Sequence, residues 1–154
     1  TSSAVGGALL ASLNTASEYG FGAVIASLPG FASITGALAK IPDPLLNEAI
    51  SVSVLAGITG SASGGMSIAL AALSDSFIAA ALSAGIPMEV LHRVASMASG
   101  GMDTLPHTGA VITLLAGTGL SHRQAYKDIF MVSVVIATSA ALLVIGLYYL
   151  VGLV

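Results

Sequence analysis

Long apolar runs separated by short polar interruptions make up this chain, and the interruptions set its elements. Tyr19 to Ala39 is uncharged for 21 residues. As a helix it would extend about 31 Å, enough for one membrane span over 19–39. Gly20, Gly22, Gly30, Gly36 and Pro29 punctuate it, as membrane helices allow. Upstream, Thr1 to Ser17 is uncharged and rich in Ser, Gly and Ala, with Asn14, Thr15, Ser17 and Glu18 crowded at its end. The chain opens on this oily run without an initiator Met or a charged leader, which predicts that it continues a longer polypeptide. KIPDPLLNE (Lys40 to Glu48) reads as a loop and a helix start, with Asp43 as N-cap and Pro44 at the first helical position.

Ala49 to Ser74 carries no charge, but TGSASGG (Thr59 to Gly65) divides it. The arms Leu45–Thr59 and Met66–Leu82 would each be about 22–26 Å long, against a hydrocarbon core of ~30 Å. End to end they are far too long for one crossing. The pattern predicts a re-entrant helical hairpin over 45–82 with its tip at 59–65, and Asp75 near a water-filled edge of the returning arm. Pro87 then opens an amphipathic helix whose Glu89, His92 and Arg93 face water or headgroups. SGGMDTLPHTG (Ser99 to Gly109) breaks it before a second apolar half, Ala110 to Ala116, giving a broken helix over 87–119. SHRQAYKD (Ser121 to Asp128) reads as a basic loop. Ile129 to Val154 follows as a tilted final span of about 39 Å. The positive-inside rule places the basic loop in the cytoplasm and Val154 outside.

Composition turns this pattern into a class. The chain is 56% hydrophobic and 7% charged, where a soluble domain carries about a quarter charged residues. So few charges cannot clothe a water-facing surface, and the expected fold is an all-α integral membrane protein. Net charge is −3 with four Lys and Arg, which leaves no basic patch for nucleic acid. The absence of cysteine excludes disulfides, Cys-ligated zinc and iron–sulfur clusters. GSASG has Ala62 where a nucleophile elbow needs serine. His92, His107 and His122 never fall four apart, so no helical zinc pair is expected. The chain reads as a non-enzyme without metal or cofactor.

The two interruptions carry the candidate chemistry. Helix N-termini offer unpaired N–H groups and a positive dipole end to a carboxylate, while carbonyls and hydroxyls suit a cation or a substrate hydroxyl. Ser61, Ser63, Gly64 and Gly65 of the first interruption are candidates for substrate or ion binding; their plainer role is close helix packing. In the second, Asp103, Thr104, His107 and Thr108 are the candidates. Asp103 as an N-cap and His107 as a satisfied core imidazole are the plainer alternatives, against which stands the rarity of ionisable groups at membrane depth. Glu18, with Asn14 beside it, reads as a proton carrier or as an interfacial charge.

LNTASEYGFGAVIASLPGF, ITGSASGGMSIAL and GGMDTLPHTGAVITLLAGTGLSHRQAYKDI, with the final oily span, resemble the C-terminal part of the gluconate permease (GntP) family, closest to its branch of hydroxybutyrate-type organic-acid permeases. The resemblance implies an ion-transporter-superfamily-like fold of hairpins and unwound helices, with 59–65 as hairpin tip and 100–108 as the unwound segment facing it. It also implies a multi-pass symporter of the bacterial inner membrane that couples protons to a small organic acid such as gluconate or 3-hydroxybutyrate. The proton would ride on Asp103, His107 or Glu18. Membrane lipid and the remainder of the permease would be its partners, and a homo-oligomer is allowed. Where sugar-acid permeases have a His-x-Asn-Asp cluster this chain has His107-Thr108-Gly109, which points to a smaller acid. The rivals are a sodium-coupled carboxylate symporter and a structural membrane segment without transport.

Overall fold

Proline and glycine set most of the helix boundaries. The computed structural model describes residues 2–152, apart from the side chains of Ser3, Glu18 and Tyr19. The first helix, α1, runs Ser2–Ser27 and the second, α2, Pro29–Leu38. Leu28 between them is extended (φ −80°, ψ 143°), the conformation forced on a residue before proline. Pro29 starts α2 where its missing N–H costs nothing. The axes turn through 85° at this point. The run 19–39, read as a span punctuated by Pro29 among others, is thus divided between the end of a helix that begins far upstream and a second helix set across it.

Helix α3 (Pro44–Thr59) is capped as its sequence predicts, Asp43 Oδ1 accepting from Leu46 N at 2.8 Å. It stops at Gly60, whose φ of 71° is left-handed, a conformation glycine adopts without the Cβ penalty. Ser61 restarts the helix at once, its Oγ accepting from Gly64 N at 3.2 Å, and α4 runs Ala62–Ser83. The interruption is thus Gly60 and Ser61 alone rather than 59–65; Ala62, Ser63, Gly64 and Gly65 are helical.

Helix α5 covers Met88–Met102 and α6 covers Gly109–Thr118, with residues 103–108 non-helical between them. Gly100 and Gly101 belong to α5, so this interruption starts later than the expected 99 or 100. Asp103 is the C-cap of α5, and Thr108 takes the N-cap place of α6, which the plainer alternative had given to Asp103. The supposed basic loop SHRQAYKD is mostly helix: α7 (His122–Ile129) continues through a π-helical segment, Phe130–Ile136, into α8 (Ala137–Val151). Gln124 Oε1 accepts from Ser121 N at 2.9 Å, half of a capping box that stabilises this early start.

Helix α3 is the centre of the packing. It contacts α1, α2, α4, α5 and α8, and Leu45, Val52, Leu55 and Ala56 on it are fully buried. Phe77 and Ala81 of α4 and Val90, Val94 and Ala98 of α5 complete the core around it. The periphery is apolar too. Ala62–Ser83 and the continuous His122–Val151 are long and apolar enough to cross a membrane, at mean hydropathies of 1.6 and 2.5, and the bent α1–α2 pair makes a third if it is one span. Leu13, Leu82, Val132, Leu143 and Leu150 stand exposed on these helices, as expected of surfaces that meet lipid or further protein rather than water.

Candidate binding site

Both interruptions come together. Gly60 sits against Thr108: a Cβ placed on Gly60 would lie 3.5 Å from Thr108 Cγ2 and 3.6 Å from its Cα. One turn back along α3, His107 Nε2 donates to the Gly57 carbonyl at 3.1 Å. That carbonyl is among the last four of α3, which have no partner within an ideal helix. The amides of Gly60 and Ser61 both turn to Ala56 O instead, so the imidazole fills a place that the helix end leaves open.

Beside this contact is a cavity of about 310 Å³. Asn14, Ser17 and Phe21 of α1 form one wall, Thr59 and Gly60 the turn side, and His107, Thr108, Gly109 and Ile112 the far side. Asn14 Nδ2 donates to Thr113 Oγ1 at 2.7 Å, which ties α1 to α6 across the cavity's edge. Thr59 Oγ1 donates to Leu55 O at 2.8 Å. Thr108 differs from both. Its side chain is 1% exposed, and its Oγ1 has no hydrogen-bond partner among the described residues. It caps α6 by position only, making no side-chain bond to the helix. A buried hydroxyl left unpaired costs about 1–3 kcal/mol. Among the described side chains no Asp, Glu, Lys or Arg lines the cavity, and the α6 N-terminus that faces it suits an anion.

The expected site residues divide. Asn14, His107 and Thr108 line this cavity. Ser61 uses its Oγ to cap α4, Ser63 is exposed, and Gly64 is buried against the Ser61 side chain. Gly65 is packed against α3 so closely that a Cβ would overlap the Ala56 backbone and lie 2.7 Å from the Leu55 carbonyl carbon. Packing accounts for Gly65. Asp103 ends α5, and Thr104 donates to Gly101 O at 3.0 Å and lines a separate cavity of about 330 Å³ with Asp128 and Ser133. The side chain of Glu18 lies outside the described ones.

Over 151 residues the chain is 60% identical to a Bacillus subtilis (strain 168) protein named "Uncharacterized transporter YxjC", a match that covers 97% of this chain and 32% of that protein. That relative is named a transporter. The name agrees with the non-enzymatic reading of the sequence. The chain spans about a third of the relative's length. No family model matches it, so membership of the gluconate permease family is not shown, and no solved structure matches.

Two features escaped the sequence reading, one beside the site and one at the far end of α3. His122 Nε2 donates to Pro106 O at 2.8 Å and Tyr126 OH to Thr104 O at 3.3 Å. The first turns of the last helix therefore hold the 103–108 segment, where a solvated loop was expected. Glu48, read as part of a polar loop-to-helix start, is buried in α3. A signal for it was available: with Val52, Leu55 and Thr59 it follows the i, i+4, i+7, i+11 spacing of one helix face.

Proposed function

We propose that this chain is part of a secondary active transporter, in the line of the gluconate permeases, that carries a small organic hydroxycarboxylate such as gluconate or 3-hydroxybutyrate together with protons across the bacterial inner membrane. The α3–α4 pair serves as a re-entrant hairpin and α5–α6 as an interrupted crossing. Their breaks meet at the substrate site, as in transporters built on discontinuous helices. The observation that carries this reading is the Thr108 hydroxyl, buried and unpartnered at a helix N-terminus on a cavity of about 310 Å³.

The chemistry follows from that arrangement. A substrate carboxylate accepts from the first N–H groups of α6 and from Thr108 Oγ1, which supplies the missing partner. His107 stands beside it on the same wall. The volume suits a short acid better than a bulky one, in keeping with the smaller substrate expected from His107-Thr108-Gly109. The 60% identical relative, itself named a transporter, supports the general class.

Thr108→Val tests the site in the full-length protein. It removes the hydroxyl while keeping the shape. Uptake of gluconate or 3-hydroxybutyrate should show a KM raised about tenfold, the equivalent of ~1.4 kcal/mol for one hydrogen bond to a charged group. Thermal stability should stay level or rise, because no bond within the protein is lost. A KM equal to that of the wild type for every acid transported would refute the assignment.

A further inference from the structure

Glu48 lies one turn into α3, and its side chain is 2% exposed. Its Oε2 has no hydrogen-bond partner among the described residues. The two polar neighbours on the same helix turn elsewhere: Asn47 Nδ2 donates to Ile41 O at 3.0 Å, and Ser51 Oγ to Asn47 Oδ1 at 3.2 Å. On the helices packed against α3, the titratable groups with described side chains are Asp75 of α4, Glu89, His92 and Arg93 of α5, and Tyr148 and Tyr149 of α8. Helix α2 has none, and α1 has Glu18 and Tyr19, whose side chains are not described. Asp75, Glu89, His92 and Arg93 are exposed, and Tyr149 OH donates to Asp43 Oδ2 at 2.7 Å. No described group pairs with Glu48 Oε2.

An enclosed carboxyl oxygen without a donor is tolerable for the acid form and costly for the charged one. Such a group binds a proton and gives it up only when its surroundings change. Position adds to this. Glu48 and Thr59 are eleven residues apart on α3, which puts them on the same face and about 16 Å apart along the axis. Val52, Leu55 and Ala56, all fully buried, separate the carboxyl from the cavity that Thr59 lines. One helix thus has a candidate proton site near its start and the substrate cavity at its end, with an apolar plug between them.

We infer that Glu48 carries the coupling proton, and that α3 links its loading to the substrate cavity at the Gly60 turn. The inference rests on the proton-coupled reading above and replaces Asp103, His107 and Glu18 as the carrier. The test uses full-length protein in proteoliposomes. Infrared difference spectra between acidic and alkaline buffer should contain a carboxylic-acid C=O band that is absent in Glu48→Gln and displaced in Glu48→Asp. A band unaltered in both variants overturns the inference. If Glu48→Gln fails to fold, the position of the band in Glu48→Asp decides alone. Uptake separates the two levels of the argument. Wild-type transport of gluconate and 3-hydroxybutyrate indifferent to an imposed pH gradient overturns proton coupling, and with it the carrier role, even if the band is found. Proton-driven accumulation that persists in Glu48→Gln overturns Glu48 alone. The expected result is loss of that accumulation in Glu48→Gln with counterflow exchange retained.

Discussion

Gly65 and Gly100 show how far one residue's role depends on what surrounds it. Both lie in helices and in small-residue stretches that the sequence treats alike. A Cβ on Gly65 would run into the α3 backbone, whereas one on Gly100 would meet nothing within 4 Å. Alanine improves helix propensity by about 1 kcal/mol at either place. At Gly65 the overlap dominates, because backbone cannot step aside as a flexible side chain can. Gly65→Ala is expected to destabilise by about 1–3 kcal/mol through forced separation of α3 and α4. Gly100→Ala should stabilise by about 0.5–1 kcal/mol. Thermal melting of the full-length protein in detergent checks the pair, and equal shifts would contradict the packing argument. Orientation divides the candidates in the same way: Asn14, His107 and Thr108 reach one cavity, while Ser63 faces outward.

At the level of elements, the capping chemistry was legible and the extent of the breaks was not. Asp43 before Pro44 predicted the start of α3, and the structure has that cap. Helix breaks fall inside both expected interruptions, at 60–61 and at 103–108, where glycine, serine and proline, which disfavour helix, cluster. Their lengths were overestimated because tertiary packing holds Gly64, Gly65, Gly100 and Gly101 in helices that intrinsic propensity alone would not form. The π-helical stretch Phe130–Ile136 had no signal at all, since FMVSVVI contains neither glycine nor proline. Such segments are wide turns, frequent at functional sites. This one sets the rotation of α7 relative to α8, and so the aim of His122 and Tyr126 at the Pro106 and Thr104 carbonyls. Deleting Val132, which is exposed, takes the extra residue out of the wide turn, so the stretch should revert to α-helix with α7 close to its present aim. Uptake should then persist at a rate comparable to the wild type, with helical circular dichroism. Loss of transport in the deletion variant would show that the wide turn itself, and not only the aim of α7, is required.

The whole molecule is arranged so that a central helix, α3, ends where the chain's second break begins. Its core of leucine, valine and alanine could be anticipated as apolar surface but not as one bundle. Hydrophobicity that serves equally for lipid and for protein does not say which face meets which. That ambiguity also concealed Glu48, whose segment read as a polar loop and helix start. If transport requires the α3–α4 hairpin to move away from the α5–α6 connection, the Gly60–Thr108 contact must open in each cycle. A Cβ on Gly60 would lie 3.6 Å from Thr108 Cβ, close to the ~3.8 Å typical of a disulfide. This stretch contains no cysteine of its own. The double variant Gly60→Cys, Thr108→Cys, in an otherwise cysteine-free full-length protein, places a removable bolt across the site. Cysteine at the left-handed position costs about 1–2 kcal/mol, so each single variant serves as a control for strain and for loss of the Thr108 hydroxyl. Oxidation should arrest whatever uptake the double variant retains, and a reductant should restore it. Uptake that continues undiminished with the disulfide closed would mean that the hairpin and the connection travel as one body, and the alternation of access would have to be sought elsewhere in the fold.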